Sequence, residues 1–300
     1  MKLIGIGETK DEQDIIEPWV RHNMLLLDHL IVMDGSNDDT YNILEKLAEE
    51  FKDRIDIQKQ KEFGDFQSSR TTALLREAYH LGADFIFPLD ADEFLGVPNR
   101  LTLEGQLQKI PIGGAGNLPW RTFIVTPDTI DTCANDAPKG FKYRRAVENP
   151  LHYKVIVRTE GLNINQVWIG TGNHDCSSVL GSVKTVNLDV PLLHFPLRSQ
   201  DQMIGKAVLR WVGTLSANPS IRTSGGAWHI RDIFDKLLAN GQLDLCNLSL
   251  LYAQHENQVP TLVEEIPIIQ YERKYSSGRA MNAVSLIAKS WEKTLEKVGG

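Results

Sequence analysis

The sequence predicts an α/β protein with a mostly parallel central sheet flanked by helices, on three observations. Short apolar runs alternate with longer stretches of helical periodicity through residues 3–89. Polar or turn-forming residues punctuate the junctions between them. The apolar run from Phe85 to Leu89 leads directly into two aspartates, Asp90 and Asp92. Strands that alternate with helices imply βαβ units, right-handed crossovers and a parallel sheet.

The elements follow in order. Leu3 to Gly7 reads as a buried strand. Asp11 to Leu27 places apolar residues at 15, 16, 19, 20, 24 and 27, close to helical spacing. Pro18 inside that stretch sets the helix start near Glu17 or kinks it. Leu30 to Met33 is a second strand, and Asn37 or Asp38 is placed to cap a helix running to about Phe51. Ile55 and Ile57 mark a third, weaker strand. Ser68 or Ser69 would cap a helix through Leu81, and Phe85 to Leu89 is the fourth strand. Pro111 to Asn117 is a turn-rich break. Residues 118–195 hold short β-like runs, such as Lys154 to Arg158 and Val186 to Val190, which suggest a mixed continuation of the sheet. From Ser199 the text turns helical, most clearly at Ala207 to Leu215 and Ile230 to Leu238. The expected divisions are 1–100 and 101–198, two halves of one domain, and a helical C-terminal region, 199–300.

Composition narrows the function classes. With 42% apolar and 24% charged residues, the chain is an ordinary globular one. A net charge of −7 and the absence of a basic block argue against nucleic-acid binding, which depends on Lys and Arg against phosphates. Cys133, Cys176 and Cys246 are widely spaced and form no C-x-x-C pair, so neither a disulfide framework nor a zinc site is expected. No apolar run is long enough to span a membrane, and the first residues lack the pattern of a signal peptide. The expectation is a cytoplasmic protein, with a peripheral membrane contact left open and no prediction of oligomeric state.

Asp90 and Asp92 fall at or just beyond the end of a buried strand, where open α/β sheets bind ligands. On an extended chain, residues two apart share a side. Two like charges held that close invite a cation, and oxygen ligands suit Mg²⁺ or Mn²⁺. A solvated turn with incidental acids is the alternative.

Four pieces then read in register. They are Glu12-Gln-Asp14-Ile-Ile-Glu17-Pro-Trp19, Ile31-Val-Met-Asp34-Gly-Ser-Asn-Asp-Asp-Thr40, Arg70 followed by Ala73 to Ala78, and Leu89-Asp90-Ala-Asp92-Glu93. Together they resemble the nucleotide-sugar half of family 2 glycosyltransferases with the GT-A fold, in the subgroup with an E-x-D-I-x-E-W first helix. The likeness covers about the first 95 residues. It implies a GT-A-like sheet, with the mixed-sheet half serving the acceptor. It also implies that Asp34 contacts the nucleobase, that Asp90 leans on the ribose, and that Asp92 binds the metal.

Other residues are read beside that resemblance. Asp34 ends a buried strand, where its carboxylate can accept from a base N–H or cap the next helix. Arg70 sits near a helix start, where a cation opposes the dipole, and a guanidinium suits a base edge or diphosphate. Thr71 stands where the family carries Asn. Glu8 and Thr9 end the first strand, at a position the family gives to nucleotide contact. Gly170 to Cys176 is a glycine-rich loop presenting His174 and Asp175, both plausible acid–base groups. Asp175 lies where the resemblance places a base, with His174 and Glu148 as alternatives. His194 ends an apolar run and is the first candidate for a second metal ligand, with His174 next. Arg198 and Lys206 could hold the diphosphate or be surface charges. Glu148, His152 and Lys154 form a further polar cluster. Trp120, Trp168, Trp211 and Trp228 are candidates for sugar stacking or core packing.

The resemblance therefore implies a glycosyltransferase dependent on Mn²⁺ or Mg²⁺. It would move a sugar from a nucleoside diphosphate, UDP favoured, to a hydroxyl of a glycan, lipid-linked or other acceptor, with inversion. One rival is a nucleotidyltransferase, which usually shows a basic glycine-rich loop where this chain has the acidic Gly5 to Asp11. Another is a nucleotide-sugar-binding or scaffold protein without catalysis.

Overall fold

The structure is a computed structural model and describes residues 1–60, 67–217, 228–254 and 259–299. The first half is built as the periodicity predicts. Strands β1 (Leu3–Thr9), β2 (His29–Asp34), β3 (Ile55–Lys59) and β4 (Phe85–Pro88) run parallel, connected through α1 (Ile16–Asn23), α2 (Thr40–Phe51) and α3 (Gln67–His80). Successive strand residues alternate between the two cores, as the pleat demands. Leu3, Phe85 and Phe87 join the α1–α2 side, whereas Ile4, Ile6 and Ile86 join the α3 side. Gly7 is required by close approach, because a Cβ there would lie 2.8 Å from the Leu89 carbonyl oxygen and 3.2 Å from the Trp19 ring.

Some boundaries shift, each for a local reason. The first helix begins at Ile16, next to the start near Glu17 that Pro18 predicts, so Pro18 falls in its first turn, where a missing N–H leaves no bond unmade. The second helix begins at Thr40, with Asp38 Oδ1 accepting from the Thr40 N–H at 3.0 Å. Ser68 and Ser69 lie inside α3 rather than capping it, and the Ser68 hydroxyl donates to the Ile169 carbonyl.

After β4 come β5 (Glu93–Leu95), α4 (Arg100–Leu107) and the long β6 (Gly114–Ile124), then α5 (Ile130–Asn135), β7 (Tyr143–Arg145) and β8 (Tyr153–Arg158). The sheet continues from β4 through β8, which runs antiparallel to both β4 and β6. This is the mixed continuation expected. The strands β9 (Val167–Ile169), β10 (Cys176–Ser178) and β11 (Gly181–Ser182) form a small separate sheet. Next, β12 (Lys184–Asn187) and β13 (Leu192–His194) run parallel to β6, and β13 also pairs with β5.

The C-terminal part contains α6 (Gln200–Ala217), α7 (Trp228–Asn240), α8 (Leu245–Leu251), the edge strand β14 (Leu262–Glu264) and α9 (Ala283–Gly299). Helices α7 and α9 both pack on α6. Among the described residues no helix is long and apolar enough to cross a membrane.

Candidate active site

Parallel strands end on one edge, so the register brings Thr9 beside Asp34 and places Asp90 just past β4. A cavity of about 540 Å³ opens there. It collects Glu8, Thr9, Arg70, Asp90, Asp92, His174 and His194 from the expected set, together with His152, Lys154 and Lys206.

The residues expected to face a nucleotide are tied to one another. Glu8 pairs with Arg70 Nε at 3.2 Å and accepts from the Thr71 hydroxyl at 3.3 Å, which gives Thr71 its task. Asp34 lies behind Thr9. Its Oδ1 accepts from Thr9 Oγ1 at 2.8 Å and from Ser36 Oγ at 2.6 Å. Burial raises the Asp34 pKa, against the pull of the Ser36 and Thr9 hydrogen bonds.

Asp90 and Asp92 do not sit on an extended chain. They flank a turn closed by the Glu93 N–H donating to the Asp90 carbonyl at 3.0 Å. The shared-side geometry expected of a strand is therefore replaced by a split. Asp90 accepts from Lys154 Nζ at 2.5 Å and from Asn173 Nδ2 at 3.1 Å. Asp92 faces Lys206 Nζ at 3.3 Å, His194 Nε2 at 3.9 Å and Arg198 Nη1 at 4.0 Å. Burial alone would raise the Asp92 pKa, but the charges of Lys206, Arg198 and Lys154 hold it well below the usual carboxylate range.

Trp120 organises the opposite wall. Its Nε1 donates to Glu93 Oε1 at 2.7 Å, His194 stacks on it at 4.1 Å, and His152 and His174 lie at 4.9 and 5.5 Å. The ammonium of Lys154, which projects from β8, is 5.6 Å from the ring. His194 is buried, and burial pushes its pKa down to about 3, so the imidazole is neutral. His174 Nδ1 donates to the Tyr153 carbonyl at 2.7 Å, which leaves its Nε2 lone pair as an acceptor. His174 is open to the cavity yet crowded by protein atoms, and that partial desolvation, then the charge of Lys154, lowers its pKa.

Three expectations need correction. Asp175, unlike the adjacent His174, does not line the cavity and folds over Gly170 in its own loop. Glu148 is buried in an ion pair with Arg145 at 3.0 Å and accepts from the Thr122 N–H, so it is structural. Arg198 is fully buried and cannot meet a diphosphate. Its Nε and Nη2 donate to Asp14 at 2.6 and 3.0 Å, and its Nη2 also bonds Glu12. Burial raises the Glu12 pKa to about 7, with Arg198 opposing it. Glu17, the third acid of that sequence motif, accepts from the backbone N–H groups of Lys274, Tyr275 and Ser276. The acids of the first-helix motif thus tie later segments to the sheet.

Sequence reasoning did not single out Trp120 and Lys154 as organisers of the site. The available signal was a lysine leading into the apolar Val155–Val157 run, because a charge buried there needs a partner. Trp211 is buried, Trp168 is exposed, and the Trp228 side chain lies outside the described residues.

The donor chemistry fits a divalent cation. Asp92 offers a carboxylate and His194 a neutral imidazole, a pair that suits Mn²⁺. Among the described residues no group of three His, Cys, Asp or Glu converges on one point, so the remaining positions would fall to water and diphosphate oxygens.

No protein-family model matches the chain, and no curated protein does. Similar solved structures include residues 1–349 of S. aureus TarS in complex with UDP, at 14% identity, covering 85% of this chain and 76% of that one with a TM-score of 0.40. A mannosyltransferase from Pyrobaculum calidifontis with GDP-Man and Mn²⁺ is 16% identical, covering 82% and 78% with a TM-score of 0.41. Glucosyl-3-phosphoglycerate synthase from Mycobacterium tuberculosis is 20% identical, covering 43% and 46% with a TM-score of 0.26.

Proposed function

We propose that the chain is a glycosyltransferase that takes a nucleoside-diphosphate sugar, UDP favoured, and passes the glycosyl group to a hydroxyl of a glycan, lipid-linked or other acceptor. The observation that supports this best is the convergence, in one cavity, of the strand-end acids Asp90 and Asp92, the Glu8–Arg70 pair and the neutral imidazoles of His174 and His194.

Glu8, Thr9 and Arg70, with Asp34 behind Thr9, form the nucleotide end, and Asp90 addresses the ribose. Lys206 and Arg210, one turn apart on the α6 face that lines the cavity, supply positive charge for the diphosphate. Asp92 and His194 would hold Mn²⁺ or Mg²⁺, which when bound neutralises charge on the departing nucleoside diphosphate. His174 Nε2 takes the acceptor proton as the hydroxyl attacks the anomeric carbon, and direct displacement gives inversion. Trp120 fixes the imidazoles, so that bound donor and acceptor meet a preset geometry.

The acceptor comes from the side of α3. A groove of about 520 Å³ there shares Gln67 and Thr171 with the cavity and carries the exposed Trp168 and Arg76. Exposed indole faces suit the C–H face of a sugar.

A thermal-shift screen against UDP-, GDP-, CMP- and dTDP-sugars, with and without Mn²⁺, tests this reading. The expected result is stabilisation by one nucleotide class, enhanced by the metal. No stabilisation by any of them would overturn it in favour of a non-catalytic scaffold.

A further inference from the structure

Lys206 lies against the carboxylate that would take the metal. Its ammonium lies 3.3 Å from Asp92 Oδ2 and 3.8 Å from Glu12 Oε1. The neighbouring cations are committed elsewhere. Arg198 donates to Asp14 and Glu12 and only approaches Asp92, at 4.0 Å. Lys154 donates to Asp90 and to the Gly172 carbonyl. Lys206 is therefore the nearest counter-charge of Asp92, at 3.3 Å against 4.0 Å for Arg198. The ammonium sits on Oδ2 and His194 faces Oδ1, so a doubly charged ion between Asp92 and His194 would feel the ammonium's repulsion across one carboxylate.

The lysine has somewhere else to go. It projects from α6 between Gln202 and Arg210, and all three line the same cavity. A lysine stem is long and flexible, and its head is a point charge that tolerates many partners. Diphosphate oxygens entering beside Asp92 would give it a new one.

We propose that Lys206 is a resident counter-ion of Asp92, which keeps a divalent metal off the site until a diphosphate draws the ammonium away. This rests on the reading of Asp92 and His194 as metal ligands. It adds an order to the same site: the metal binds weakly alone and well with nucleotide. Because coupling between two ligands is reciprocal, Mn²⁺ and UDP then tighten each other by the same factor, and Lys206 sets part of that factor.

The test is Mn²⁺ binding to the full chain, read by electron paramagnetic resonance of free Mn²⁺, with and without UDP. The proteins are wild type, Lys206→Met and Lys206→Arg. Lys206→Met is expected to bind Mn²⁺ alone about tenfold tighter or more, and UDP alone more weakly, so that the coupling shrinks. Lys206→Arg keeps the charge and is expected to stay near wild type, which separates loss of charge from loss of packing. The proposal is overturned if Lys206→Met binds Mn²⁺ alone no tighter than wild type. Should wild type fail to bind UDP with or without Mn²⁺, the glycosyltransferase reading falls instead, while the comparison with Mn²⁺ alone still decides what Lys206 does.

Discussion

The two walls of the cavity are built on different plans. One wall is made by strand ends. Thr9 and Asp90, with Asp34 behind Thr9, come from β1, the end of β4 and β2, neighbours in a parallel sheet whose register alone brings them to one edge. The other wall draws Lys154 from β8, His174 from a loop, His194 from β13 and Lys206 from α6. No short-range rule places those four together; long-range pairing does. The difference suggests that the first wall tolerates changes in its side chains without losing shape, whereas the second depends on a few buried charges that hold distant segments in place.

The harshest test of that contrast is Arg198→Met. It leaves Asp14 and Glu12 without their buried partner, and breaking such a pair typically costs about 3–5 kcal/mol. Urea unfolding should show a loss of that order, and a loss below about 1 kcal/mol would mean that the second wall stands without its ion network.

Next in size is His174→Gln. Turnover should fall by about 10²–10⁴ with donor affinity kept, as for loss of a general base. Its pKa is lowered from 6.5, so the imidazole is neutral at neutral pH and gains a proton only in acid. The rate should therefore be flat above the usual histidine range and fall as pH drops below it, and that acid limb should disappear in the variant. A small loss with the limb retained would move the base role to another group.

Asp175→Asn marks the low end. The side chain is exposed and outside the cavity, so turnover should change by less than about twofold and stability by less than about 0.5 kcal/mol. A large loss in Asp175→Asn would show that the loop rearranges to bring the carboxylate inward.

The same contrast explains what could be read from the sequence. Strand periodicity and acids at strand ends placed Asp34 and Asp90 on one edge, and the alternation of elements gave the parallel half of the sheet. The turn at Asp90–Glu93 was not legible, because a stretch of four residues has no period to show, and it separates the partners of Asp90 from those of Asp92. His174 and Asp175 are adjacent in a loop, where no rule says which faces inward. Arg198 looked available because its partner Asp14 lies 184 residues away in the chain. Glu12, Asp14 and Glu17 were visible as a motif, yet their work is done on segments from the far end of the sequence.

The most direct test of the account is a calorimetric titration of UDP into wild type and Asp92→Asn, each with and without Mn²⁺. The account predicts that Mn²⁺ tightens UDP binding to the wild type by about tenfold or more and gives no enhancement in Asp92→Asn. An equal enhancement in both proteins would contradict it, since the metal would then sit somewhere other than on this carboxylate.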